Sequence, residues 1–156
     1  MDDGLNSIPP AEVKIANHAQ FTNLQKAEII RSVEFFSEVA VEDLCRLAAI
    51  AQEVNYPARN VIYREEDVGD SMFLIVKGKV ECVSEAKKLR VIVGAGQSVG
   101  VHSVLTREPQ LATATALEDI FALALGAEDF YNLLATHPEI MAGLVKYFVK
   151  KVGFAP

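Results

Sequence analysis

GAGQSVGVHSVLTREPQLATATA, the segment from Gly94 to Ala116, combines glycines, a short apolar turn and a tail of small residues. This combination is typical of a loop that holds a phosphate, because glycines let the backbone turn sharply and bring its amides close to an anion. Arg107 is the only arginine of the segment, Glu108 follows it directly, and the segment has no lysine. The loop therefore has the form of an anion-binding loop but little positive charge.

Short β-strands are predicted on both sides of this loop. From Glu53 onward, β-rich runs alternate with turn sequences around Pro57, Gly69 and Gly78. Further short runs follow as LRVIV, QSVG, ATATAL and IFALAL. About eight short strands at close spacing, with few helices between them, are typical of an antiparallel barrel or a jelly roll.

Helical periodicity precedes the strands. Thr22 and Gln25 have capping-box spacing before LQKAEIIRSVEFF, which predicts a first helix. Ala40 would be the N-cap of a second helix, although alanine caps poorly. That helix is predicted from apolar residues spaced i, i+3, i+4 and i+7, namely Leu44, Leu47, Ala48 and Ala51.

Helical periodicity returns after Gly126 and continues to Val152, with lysines near the end, where cations suit the helix dipole. These patterns divide the chain into one main domain and two short ends. The predicted parts are a leader or linker over 1–21, N-terminal helices over 22–52, a β-jelly roll over 53–126, C-terminal helices over 127–152 and a tail over 153–156.

Composition excludes several classes of function. The 156 residues carry a net charge of −6, which argues against a nucleic-acid-binding surface. No apolar run approaches the roughly 20 residues that span a bilayer, and no signal peptide is recognisable, so we expect a cytoplasmic protein. Cys45 and Cys82 lie in predicted elements without CxxC spacing, and we expect both thiols to be buried and reduced.

Catalytic and metal-binding patterns are weak. The glycines of GAGQSVG do not have the dinucleotide-binding spacing and lie outside a βαβ unit. His18, His102 and His137 are spread over three regions of the sequence, so no metal site is predicted. We therefore expect no enzyme activity and no metal.

The order of these segments resembles the cyclic nucleotide-binding domain family from about Glu34 to Val152. FFSEVAVEDLCRLA resembles its entry segment, VIYREEDVGDSMFLIVKGKVECV its strand–turn–strand core, VGAGQSVGVHSVLTREPQLATATAL its phosphate-binding cassette and EDFYNLLATHPEI its exit helix. The resemblance implies a double-stranded β-helix with C-terminal lid helices and a regulatory function in signal transduction. It also implies a larger parent protein, cytoplasmic or at the cytoplasmic face of a membrane, with an unidentified effector domain or protein partner.

In that family, the cassette reads roughly Phe-Gly-Glu, a short helix, and then Pro-Arg-small-Ala. The glutamate accepts the ribose 2′-hydroxyl, and the arginine pairs with the cyclic phosphate. The resemblance places Val101 at the position of the glutamate and Gln110 at the position of the arginine, so both charged groups are replaced. It also places Glu66 at the position of a turn glycine. Arg107 is the candidate compensating cation, although an exposed loop arginine is the simpler interpretation. The candidate ligand-binding residues are Gly100, Val101, His102, Ser103, Gln110, Leu111, Ala112 and Thr113.

Three interpretations of the site follow. The first is a degenerate site, in which cyclic nucleotide binding is weak or lost and the domain acts through protein contacts or an atypical ligand. The second is a working sensor of cyclic AMP or cyclic GMP that binds through Gln110, backbone amides and Arg107. Filling of the cavity by Val101 and Leu111 favours the first, and an open cassette with Gln110 facing a polar cavity favours the second. The third, a cupin-like enzyme, needs convergent polar groups that the sequence lacks.

The resemblance also limits the expected ligands and partners. A cyclic nucleotide or another small anion is the candidate ligand, and no cofactor is predicted. A homo-oligomer is compatible with the sequence.

Overall fold

The computed structural model describes residues 14–15 and 20–153. Within these residues lie nine strands: β1 (Lys14–Ile15), β2 (Gln52–Tyr56), β3 (Val61–Tyr63), β4 (Ser71–Lys77), β5 (Val80–Ser84), β6 (Leu89–Val93), β7 (Ser98–Val99), β8 (Thr113–Ala116) and β9 (Ile120–Gly126). The same residues form five α-helices: α1 (Asn23–Ser32), α2 (Val41–Ile50), α3 (Val101–Thr106), α4 (Ala127–Thr136) and α5 (Glu139–Val152). None of these helices has the length and apolar character that crossing a bilayer requires.

The strands form two antiparallel sheets. One sheet has the order β1-β2-β9-β4-β7, and the other has the order β3-β8-β5-β6. Strands β2 to β9 are the eight strands of the predicted jelly roll, so this prediction is confirmed. The short β1 comes from the predicted leader and adds an edge strand, with Lys14 opposite Asn55 of β2. Residues 1–13 and 16–19 of the leader, and 154–156 of the tail, lie outside the described residues.

The two N-terminal helices begin as their sequences predict. Thr22 Oγ1 accepts a hydrogen bond from the backbone amide of Gln25 at 3.1 Å, and Gln25 Oε1 accepts one from the amide of Thr22 at 2.9 Å. This reciprocal pair satisfies two amides at the start of α1. Ala40 is the N-cap of α2 and makes no side-chain capping bond.

The first helix is shorter than its sequence predicts. It ends at Ser32, and Glu34–Phe36 form a separate 3₁₀ turn. The prediction of one continuous helix through Phe36 is therefore wrong. Val33 lies in extended backbone between the two elements. Val33 and Phe35 are both buried, although an α-helix would direct side chains two positions apart to different faces. The break in the helix brings both into the core.

Strands β4 and β9 are covered on both faces and separate two cores. The helix-side core is the apolar cluster under α1, α2, α4 and α5, and the roll core lies inside the jelly roll. In β4, Met72 and Leu74 belong to the helix-side core, whereas Phe73 and Ile75 belong to the roll core, and β9 alternates in the same way. Because successive strand residues point to opposite faces, burial of both faces explains the continuous apolar runs of β4 and β9.

The cysteine prediction is only partly correct. Both thiols are free, and Cys82 in β5 is partly buried. Cys45 is exposed, so its predicted burial is wrong. It follows the buried Leu44 in α2, but the next side chain of a helix is turned by about 100°, away from the face that packs on the core.

Candidate ligand-binding site

The cassette segment folds as β7, α3 and the loop into β8. Gly100 precedes α3 with a φ of 83°. A Cβ at this position would lie 2.8 Å from the carbonyl oxygen of Ser71, so the turn requires glycine for its backbone angle and for close approach. At the other end, α3 stops at Arg107, whose φ of 62° is also left-handed. These two turns place the loop beside the β3–β4 connection.

Ser103 joins the cassette to that connection. Its side chain is buried, and its Oγ accepts a hydrogen bond from the backbone amide of Gly69 at 2.9 Å. The same hydroxyl donates to the carbonyl oxygen of Glu108 at 2.6 Å. Because both of its hydrogen-bonding roles are used within the protein, Ser103 acts as a structural residue in this conformation.

Gln110 is turned inward and is only 4% exposed. Its backbone amide donates to the carbonyl of Asp67 at 2.8 Å, and its carbonyl accepts from the amide of Glu66 at 2.9 Å. Its Nε2 lies beside Gly69 and Gly100. A Cβ atom built on Gly69 would be 2.7 Å from this nitrogen, and a Cβ atom built on Gly100 would be 3.6 Å from it. A neutral carboxamide therefore occupies the inner side of the loop.

The other candidate residues of the loop match neither the cavity filled by Val101 and Leu111 nor the open polar cavity described from the sequence. Val101 is partly buried and packs against the helix-side core. Leu111 is 45% exposed, so Val101 and Leu111 do not close a cavity together. Ala112 is partly buried, and Thr113 Oγ1 accepts a hydrogen bond from the backbone amide of Glu65 at 2.9 Å.

Arg107 and His102 each have a partner other than Gln110. The guanidinium carbon of Arg107 lies 4.0 Å from the ring centroid of Tyr131 in α4, a cation–π contact. Tyr131 in turn donates a hydrogen bond to the carbonyl of Val104 in α3. His102 Nε2 lies 3.1 Å from Glu108 Oε1 near the surface. The Arg107–Tyr131 contact therefore connects the cassette to the C-terminal helices.

The sequence profile of the family described as "Cyclic nucleotide-binding domain" matches residues 53–137, more than half of the chain. The chain belongs to the cyclic nucleotide-binding domain family. The matched range includes α3, α4 and the eight strands of the roll except Gln52, the first residue of β2.

The relatives of this chain include channels and transcriptional regulators. A cyclic nucleotide-gated potassium channel of Rhizobium etli is 29% identical over 83% of this chain and 36% of its own length. A CRP-like cAMP-activated global transcriptional regulator of Mycobacterium tuberculosis is 23% identical over 80% of this chain and 58% of its own length. The chain thus spans about a third to just over half of these relatives. The N-terminal domain of a transcriptional regulator from Streptomyces coelicolor has a similar solved structure, with a TM-score of 0.69, 26% identity and coverage of 80% of this chain and 91% of that one.

Glu66 differs from the family pattern and has a strained backbone conformation. It occupies the turn position where the family usually has glycine, and its φ is 74°. This left-handed conformation costs a residue with a Cβ roughly 1–2 kcal/mol. The turn is retained because the amide of Glu66 is bonded to Gln110 and its neighbour Asp67 is bonded to the same residue.

Tyr63 of β3 also borders the cassette of this cyclic nucleotide-binding domain, although it is not among the candidate residues taken from the sequence. Burial, together with the neighbouring thiol of Cys82, raises the pKa of the Tyr63 phenol, and the backbone amide of Gly100 partly opposes this rise. Burial, and next the carboxylate of Glu81, raises the pKa of Cys82. Both groups are therefore neutral near pH 7. Strand spacing alone does not indicate that Tyr63 meets Gly100, which lies far along the chain.

Proposed function

We propose that this chain is a non-enzymatic regulatory domain of the cyclic nucleotide-binding type, in which cyclic nucleotide binding is weak or lost. It acts through protein contacts or an atypical ligand. The observation that carries the proposal is the buried, neutral side chain of Gln110 at the place of the family's phosphate-binding arginine. Val101 at the place of the ribose-binding glutamate supports it further.

The size of the expected loss follows from the two missing charges. A hydrogen bond to a charged group contributes roughly 1.5–3 kcal/mol, so the loss of two lowers affinity on the order of 10²–10⁴-fold. The hydroxyls of Ser103 and Thr113 do not replace them in this conformation, because each is bonded within the protein. Arg107 is likewise held against Tyr131.

The proposed biological setting is a larger signalling protein, cytoplasmic or at the cytoplasmic face of a membrane. The named relatives, a channel and a transcriptional regulator, are both longer than the region that matches this chain. Within the chain, we propose that the folded domain comprises residues 22–152. A route through protein contacts is supported by the exposed apolar side chains of α5, which are Met141, Val145, Phe148, Val149 and Val152.

A second candidate function is a working sensor of cyclic AMP or cyclic GMP. It is favoured by Nε2 of Gln110, which lies beside Gly69 and Gly100 on the inner side of the loop. A carboxamide N–H can donate to a phosphate oxygen, although without a full charge. This candidate requires measurable binding by the wild-type domain.

Isothermal titration with cyclic AMP and cyclic GMP distinguishes the two candidates. We expect the wild-type chain to give no binding heat at micromolar concentrations. The double variant Val101→Glu/Gln110→Arg restores the two charged groups and is expected to bind at least about 100-fold more tightly. The matched control Val101→Glu/Leu111→Arg places the same charges in the loop, with the arginine on the exposed side, and is expected to stay silent.

Each other outcome has a definite meaning. Micromolar binding by the wild type would overturn the proposal and support the sensor. Equal binding by the control and by the Gln110→Arg variant would show that added charge, rather than its position, produces binding. Silence from the Gln110→Arg variant, with a native circular dichroism spectrum, would mean that the two substitutions do not explain the loss.

A further inference from the structure

Three ionisable side chains meet where α2 approaches the junction of α4 and α5. Asp43 is in the first turn of α2, His137 is the C-cap of α4, and Glu139 is in the first turn of α5. One potential ligand atom from each lies within 4.8 Å of the other two. We call these three residues the junction cluster. It lies outside the cassette and includes none of the predicted site residues.

The distances suit a single metal ion. His137 Nδ1 is 3.4 Å from Glu139 Oε1. Two atoms bound at about 2.0–2.1 Å to a tetrahedral zinc ion lie roughly 3.4 Å apart, so this pair already has the required separation. The ligand atom of Asp43 lies within 4.8 Å of the other two and would have to move closer to complete the set. One imidazole nitrogen and two carboxylate oxygens form a three-ligand set that leaves the fourth zinc position to water.

The surroundings of Asp43 support this assignment. Its side chain is only 3% exposed, and its Oδ1 accepts a hydrogen bond from Nη1 of Arg46 at 2.7 Å. A carboxylate has lone pairs for more than one partner, and carboxylates that bind metals are commonly held from outside by such a hydrogen bond. Two carboxylates and one guanidinium leave one net negative charge, which attracts a cation.

We propose that the junction cluster binds a divalent transition-metal ion, for which Zn²⁺ best matches the ligands. The ion would connect α2 to the α4–α5 junction through Asp43 on one side and His137 and Glu139 on the other. It would therefore hold the C-terminal helices against the N-terminal helices. This proposal is independent of any ligand in the cassette.

Titration of the full 156-residue chain with Zn²⁺ tests the site. The exposed thiol of Cys45 lies two residues from Asp43, so a Cys45→Ser background removes a competing ligand. We expect one zinc per chain. At about 100 times the dissociation constant, the midpoint of thermal unfolding rises by several degrees, because the ion binds the native state selectively. Co²⁺ is expected to give the intense visible absorption of a four-coordinate ion.

Variants locate the ion. His137→Gln and Glu139→Gln are each expected to weaken zinc binding at least about 10-fold and to reduce the thermal shift to about half or less. Glu128→Gln, which removes an exposed carboxylate from the first turn of α4, keeps full binding as the matched control. Asp43→Asn is less useful, because loss of the buried carboxylate can itself unfold the protein.

Two outcomes overturn the proposal. The first is the absence of zinc binding by the Cys45→Ser chain. The second is equal binding by the His137→Gln and Glu128→Gln variants, which would place the ion elsewhere. In either case the junction cluster is a histidine between two carboxylates without a metal.

Discussion

The cassette and the junction cluster both bring polar side chains together, but they differ in charge. In the cassette, Ser103 and Thr113 bond to neighbouring backbone, and the neutral Gln110 occupies the inner side. In the junction cluster, three ionisable groups from two parts of the chain face one another. The contrast teaches that uncharged hydrogen bonds and glycines can preserve the shape of a binding loop.

The largest effect is expected for Ser103→Ala, which tests the structural character of the cassette. The change leaves the amide of Gly69 and the carbonyl of Glu108 without their partner in a partly buried place. We expect a loss of roughly 2–3 kcal/mol in the free energy of unfolding, measured by urea denaturation. Ser37→Ala, at an exposed position, serves as the control and is expected to change stability little. A loss below about 0.5 kcal/mol would contradict a structural role.

A smaller effect is expected for Arg107→Ala, which separates a structural arginine from a ligand-binding one. Loss of the contact with Tyr131 is expected to cost about 0.5–1 kcal/mol in urea denaturation. The control is Arg64→Ala, which removes an exposed arginine from the β3–β4 connection. Unchanged stability together with lost nucleotide binding would instead assign Arg107 to the ligand.

The smallest effect is expected for Glu66→Gly, and it is a gain. Relief of the left-handed backbone conformation exceeds the entropic cost of glycine by at most about 1 kcal/mol. The midpoint of urea denaturation is the measurement. Ala86→Gly, in a turn residue without a positive φ, is expected to destabilise the protein slightly. Destabilisation by both changes would show that the Glu66 turn stores no strain.

Local patterns predicted most of the fold. The capping box of Thr22 and Gln25, the alternating strands and the final amphipathic helix all depend on neighbours within a few positions. The break at Val33 was missed because it depends on how Val33 and Phe35 pack against distant elements. The two-residue β1 was missed because so short a strand has no recognisable period, and its existence depends on pairing with Asn55.

The site was predictable in outline but not in its contacts. The sequence predicted a loop with turn glycines and without the two family charges. It did not predict that Arg107 stacks on Tyr131, because that contact joins α4 to a loop some 24 residues earlier. The junction cluster was missed for the same reason, since Asp43 is separated from His137 by the whole jelly roll. The scattered histidines indicated no metal site, although folding brings carboxylates to one of them.

The alternation of β4 and β9 between the two cores has a consequence for cooperativity. Phe73 and Leu74 are neighbours in the chain, yet Phe73 packs in the roll core and Leu74 packs in the helix-side core. Loss of packing in either the roll core or the helix-side core would therefore remove contacts from β4 and β9. We expect the domain to unfold as one unit, with the amide protons of the two central strands exchanging with solvent only when the whole domain opens.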